Sequence, residues 1–250
     1  MTLLLATMTI GGLQAAETPT VLQPTDASFS PADRSALMTA IDDIDSVLRE
    51  GYPVRLFRLS SAGWTDRDFV VFVAGYLASA GFTTAVVEKT SGGDYHMWIL
   101  VEIQLESGSA WIPVEAVPSI VDASSLLGVV AWRDSGQTQF DPAYVDFDRQ
   151  VELARHPTPT ARIVVIGYPV INSGTAMHAS TSQPSNVVAY LWSVEGDEQV
   201  YVETNASSFE YDFKKARKTE VTLVVVDRWG GRATATKTVD VESENDCGCG

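Results

Sequence analysis

The chain has 250 residues, 45% of them apolar, with 32 acidic against 17 basic side chains and a formal charge of -15. That length fits one large domain or two ordinary ones, and the apolar fraction describes a packed core rather than a disordered chain. The negative charge argues against nucleic acid, whose phosphates would repel it, and its thin spread along the chain reads as solubility and mutual repulsion between molecules.

Met1 to Gly12 is apolar and is followed by Leu13-Gln14-Ala15-Ala16. A short apolar run ending in small residues reads as an export signal over 1–16, cleaved after Ala15 or Ala16, although no Lys or Arg precedes it. A buried N-terminal strand or helix is the other reading of this stretch. It is too short to span a bilayer comfortably, and no other apolar run is long enough for a membrane helix, since Asp68 and Glu88 bound the candidate around 69–87, so no stable membrane span is expected after cleavage. The expected location is secreted or cell-surface. Residues 17–29, rich in Pro, Thr and Ser, form an exposed lead-in.

Ser30-Pro31-Ala32-Asp33 predicts a helix start: serine caps, proline suits the first turn, and the acid complements the helix dipole. Leu37, Ile41, Ile44, Val47 and Leu48 follow at helical spacing up to Gly51-Tyr52-Pro53. Residues 54–59 could form a short strand. A second helix is predicted over 65–80, starting near Trp64 or Thr65 and stopped by Gly81. Its apolar residues Phe69, Val70, Phe72, Val73, Tyr76 and Leu77 cover much of the cylinder, so it should be largely buried. Strands are predicted over 83–88, 96–105 and 110–114, separated by Ser91-Gly92-Gly93 and Ser107-Gly108. A helix packed on an antiparallel sheet is an α+β solution, and it gives a first domain over 30–153.

Residues 118–150 are less regular, and 154–162 read as a linker by composition. Strand-like runs at 163–170, 187–193, 199–203, 209–213, 220–226 and 233–241, with no credible helix, predict an all-β sandwich over 163–242. Residues 243–250 form a tail holding the two cysteines of the chain, Cys247 and Cys249. These sit too close in sequence to bond each other and supply only half a zinc site, so they suit pairing between molecules. Asn205-Ala206-Ser207 is a glycosylation sequon by pattern. His156 and His178 have no acidic or cysteine partner at ligand spacing and read as loop histidines.

Three segments carry a resemblance: residues 77–87, His96-Met97-Trp98-Ile99-Leu100-Val101-Glu102, and Trp111-Ile112-Pro113-Val114-Glu115-Ala116. Together they resemble the core of transglutaminase-like domains, whose catalytic logic is that of papain. That family places a cysteine at the start of the core helix, a histidine opening the next strand with Trp two residues on, and an acid on the strand after. Asp66-Arg67-Asp68-Phe69 fits the family's Cys-x-Asp-Phe frame, which puts the nucleophile position on Asp66 (Thr65 if the frame slips by one). The histidine is His96, and the third position falls on Glu115. In the family a thiolate attacks an acyl carbon, the imidazole stabilises and protonates, and the acid orients the ring. A carboxylate at 66 cannot replace the thiolate, because its acyl product would be an anhydride, more reactive than the amide consumed.

The resemblance therefore implies a catalytically inactive domain acting as an extracellular binding or scaffolding module, with an extracellular protein or cell-envelope polymer as partner and no cofactor. The alternative is a cysteine-independent hydrolase, or a metal site, built on Asp66, His96 and Glu115. An open cleft would favour the alternative; one filled by Trp64, Trp98 or Trp132 would favour binding. A surface-layer component that self-associates through the sandwich and the terminal cysteines is a third reading.

The second domain resembles PKD-type, immunoglobulin-like modules. The matching runs are Val188-Ala189-Tyr190-Leu191-Trp192-Ser193 and residues 221–231, which end in Asp227-Arg228-Trp229-Gly230-Gly231. The resemblance makes Trp192 the aromatic between the sheets and has Asp227 and Gly230 set the turn before the last strand. The family's Gly-Asp-Gly turn appears only as Glu195-Gly196-Asp197. Such modules act as spacers or as protein- and glycan-contacting domains.

Overall fold

The computed structural model describes residues 30–50, 63–116, 146–195, 200–204 and 206–243. The expected signal, lead-in and 54–59 strand, Trp132, Asn205 and both cysteines lie outside them, as does nearly all of the irregular 118–150 stretch.

Two helices open the described chain. In α1 (Pro31–Glu50) the Ser30 hydroxyl accepts from the Asp33 N–H at 3.0 Å, the cap the sequence predicts. Leu37, Ile41, Ile44 and Leu48 form its buried stripe. Asp33 is itself buried and accepts from the Ser107 N–H at 3.0 Å, which ties the start of α1 to a turn of the sheet. α2 (Asp66–Ser79) is capped by Thr65 in a reciprocal box with Asp68: the Thr65 N–H donates to Asp68 Oδ2 at 2.8 Å, and Thr65 Oγ1 accepts from the Asp68 N–H. Trp64 stacks obliquely on Phe69, 5.2 Å between rings, and so staples the entry of the chain into the helix. Gly81, at φ +102°, turns the chain out after the helix end.

Strands β1 (Thr84–Ser91), β2 (Asp94–Leu105), β3 (Gly108–Val114) and β4 (Arg149–Val151) make an antiparallel sheet in the order β3-β2-β1-β4. Alternate residues of β2 serve different layers. Met97, Ile99, Val101, Ile103 and Leu105 pack with the helices. Trp98 and Leu100 join Ala85 and Val87 on the other face, with Trp111 and Phe147 against them.

The second half contains two further antiparallel sheets. β11 (Arg232–Asp240), β10 (Lys218–Asp227), β7 (Val187–Val194) and β8 (Val200–Thr204) form one in that order; β5 (Arg162–Ile166), β6 (Gly174–Ser180) and β9 (Ser208–Asp212) form the other. Trp192 is fully buried between them with Met177, Val221, Leu223 and Val225, so this half is a β-sandwich with Trp192 in the expected place. Two strands are missing from the sequence reading: the short β4 in the stretch read as irregular, and β6 in this half. β6 buries Thr175, Met177 and Ala179 in strict alternation, but its Gly and Ala residues have weak strand preference. His178 therefore lies on a strand rather than a loop, with Nδ1 3.2 Å from the Ser208 hydroxyl.

The expected linker at 154–162 is irregular but not free. Thr160 and Ser182 exchange two hydrogen bonds, each backbone N–H donating to the other's hydroxyl, at 3.2 and 2.9 Å. The His156 ring lies flat on Trp229, 3.8 Å between centroids and 6° between planes. The two halves also share one core, because Ala189, Leu191 and Val226 of the sandwich belong to the cluster built around α1, α2 and the first sheet. Composition marks a polar connector here; aromatic stacking and apolar burial pin it.

Candidate functional site

His96 lies near the start of β2, and Glu115 directly follows β3. Register sets Ile99 opposite Val114, which brings the two side chains to adjacent strands at one end of the sheet. His96 Nε2 is 2.8 Å from Glu115 Oε2. The Glu115 carboxylate is 1% exposed, and its Oε1 accepts from the Ala116 N–H at 3.0 Å. The His96 ring, about a third exposed, lies 5.5 Å from the Trp98 ring at 22°.

The hydrogen bond to the Glu115 carboxylate raises the His96 pKa; burial opposes it, and the charges of Glu115 and Asp66 add to it. The imidazolium therefore persists further up the pH scale than in a free histidine, which weakens the ring as a general base near neutrality.

Two of the three expected residues share a hydrogen bond, and the third, Asp66, bears on the ring through its charge. Asp66 occupies the first turn of α2, where it suits the helix dipole, and it bears on His96 through charge as the smallest of the causes. His96 follows the parity of Trp98 and Leu100, whereas α2 packs on the face of Met97 and Ile99. Trp98, fully buried, walls the His96 ring, while Trp64 packs on Phe69 and Phe72 of α2. Among the described residues no three His, Cys, Asp or Glu side chains are grouped to hold a metal ion, so the cation reading has no ligand set there.

A polar cluster that sequence reasoning missed lies on the neighbouring strands. Glu88 is buried, accepts from the Tyr95 hydroxyl at 2.6 Å and pairs with Arg149 Nε. These bonds, that from Tyr95 first, hold the Glu88 carboxyl below its usual range. Arg149 lies 61 residues along the chain, and no local spacing could have announced it. The turn after β10 matches expectation. Asp227 Oδ1 accepts from the N–H groups of Trp229 and Gly231 at 2.9 and 2.8 Å, and Gly230 sits at φ +79°.

Among the described residues no helix is long and apolar enough to cross a membrane. No family model matches the chain, and no curated protein does. Among solved structures it is similar to carbohydrate-binding modules from the β-sandwich superfamily, at 19% identity over 36% of this chain and 37% of that one, with a TM-score of 0.33. It is similar to the PKD1 domain of the Vibrio cholerae metalloprotease PrtV, at 22% identity over 34% of this chain and 99% of that domain, TM-score 0.29. The PKD1 domain of Vibrio anguillarum Epp gives 18% identity over 36% and 99%, TM-score 0.30. The chain spans little more than a third of the carbohydrate-binding chain and nearly all of each PKD1 domain.

Proposed function

We propose that this is an exported, catalytically inactive binding or scaffolding protein. In this reading a degenerate transglutaminase-like half is joined to a PKD-like sandwich, and its partner is an extracellular protein or cell-envelope polymer. The observation that carries the proposal is the closed His96–Glu115 pair. Its carboxylate is buried and is hydrogen-bonded to His96 and to the Ala116 N–H, its ring rests beside Trp98, and the residue at the position the resemblance gives to the nucleophile is the carboxylate Asp66. Such a pair orders the end of the sheet and lacks the thiol that acyl transfer of this kind requires. The sandwich offers Val164, Ile166 and Tyr168 as exposed large apolar side chains, a contact surface for the partner.

The test incubates the purified chain with casein and a labelled amine donor. No incorporation is expected from the wild type; incorporation that His96→Ala abolishes would overturn the inactive reading. The Asp66→Cys variant tests the frame separately, since activity gained only there supports the resemblance and the loss together.

A further inference from the structure

We infer that the cavity between the two halves binds a small alkylammonium group, with Asp227 as its charged anchor. The cavity encloses about 180 Å³ where α2, the connector around 153–158 and the β10–β11 turn meet. Asp227 lines it while being only 3% exposed. Its Oδ1 is taken by the N–H groups of Trp229 and Gly231; among the described residues no hydrogen bond engages Oδ2. That oxygen is open to the cavity, so a donor entering there can reach it and form a charge-assisted hydrogen bond.

Gly231 keeps that oxygen accessible: a Cβ there would sit 2.7 Å from Oδ2 and 3.0 Å from Pro159 Cδ. Burial holds the Asp227 carboxyl above its usual range, opposed by the Gly231 and Trp229 donors and by His156, and a cation beside Oδ2 would bring it back down.

The remaining walls define the ligand. Val71 and Leu153 are apolar and suit a short alkyl stem. Thr158 and Ser79 add hydroxyls; that of Ser79 donates to the Gly230 carbonyl at 3.3 Å, which leaves its oxygen as an acceptor. A single available carboxylate oxygen suits a point-like ammonium, whereas a guanidinium fork pairs best with both. The net charge of -15 raises the local concentration of cations around the whole molecule.

The experiment titrates the 15N-labelled full chain with n-propylammonium and, separately, with its neutral counterpart n-propanol, following the Trp229 and Gly231 amides. Saturable shifts of those amides with the ammonium alone are expected. Asp227→Asn keeps an acceptor for the two N–H groups and should weaken binding at least about tenfold, the scale of one lost charge-assisted hydrogen bond. Thr158→Trp fills the cavity from the connector side, leaves the turn intact and should abolish the shifts. A Gly-Lys-Gly peptide separates the sources: matching shifts point to lysine side chains, their absence to a free amine. Equal shifts with propanol, no saturable shift with the ammonium, or full binding by both variants would overturn the proposal.

Discussion

Gly75, midway along α2, lies backbone to backbone against Gly230 in the last turn of the sandwich. A Cβ at Gly75 would overlap the Trp229 carbonyl oxygen, and one at Gly230 would overlap the Phe72 carbonyl and the Tyr76 N–H. Arg232 extends the joint, its guanidinium 4.7 Å from the centre of the Tyr76 ring. The helix that carries Asp66 is therefore braced by the sandwich.

Gly75→Ala should destabilise the protein by about 1–3 kcal/mol, the usual cost of overpacking a tight contact. The loss should appear in one cooperative unfolding transition, because the halves share a core. Urea denaturation followed by near-UV dichroism checks this; a separate sandwich transition left unshifted by the variant would refute the shared core.

Glu115→Gln removes the main cause of the raised His96 pKa, so the ring should titrate lower in a proton NMR titration. Asp66→Asn should move it less, since Asp66 is the smallest of the causes. A group whose folded pKa is raised contributes stability that is fully present below its unfolded value, about 6.5 for histidine. That contribution fades as pH rises through the folded value. The stability gap between wild type and Glu115→Gln should accordingly be wider at pH 6 than at pH 9.

Glu88 has the opposite sign. Its folded pKa is lowered, so its contribution is present above the unfolded value and is lost as pH falls through the folded one. Glu88→Gln should cost stability at pH 7 and almost none at pH 2, and Tyr95→Phe should share part of that pattern. Thermal melts across this range decide it, and a pH-independent difference would assign Glu88 a packing role instead.

His156→Ala removes the flat stack on Trp229 and should cost about 0.5–1.5 kcal/mol, the scale of an aromatic pair beyond its buried area. Limited proteolysis should then cut the connector faster than in the wild type. Unchanged cleavage would mean that the Thr160–Ser182 bonds hold the segment without the stack.

Much of this architecture was legible. The capped start of α1, the place of α2 and the strands of the first sheet follow from periodicity and from a few residues with fixed local roles, and the burial of Trp192 matches what the PKD-type resemblance implies. β6 escaped because Gly174, Ala176 and Ala179 have little strand preference and gain it only from neighbours on both sides. The facing of His96 escaped for a different reason. Both faces of β2 are apolar, so alternation identifies a strand without saying which side the helices cover.

The sequence by itself determined both helices, most of the strands and the change in character from helix-bearing to all-β, while the pairing of His96 with an acid at 115 was implied by the family resemblance. The elements depend on local periodicity, capping and turn residues. Tertiary structure decided that the connector is pinned by Trp229, and that Gly75 and Gly230 weld the halves beside a cavity lined by Asp227. Those outcomes depend on which surfaces of distant segments meet, and no residue carries that information in its own neighbourhood.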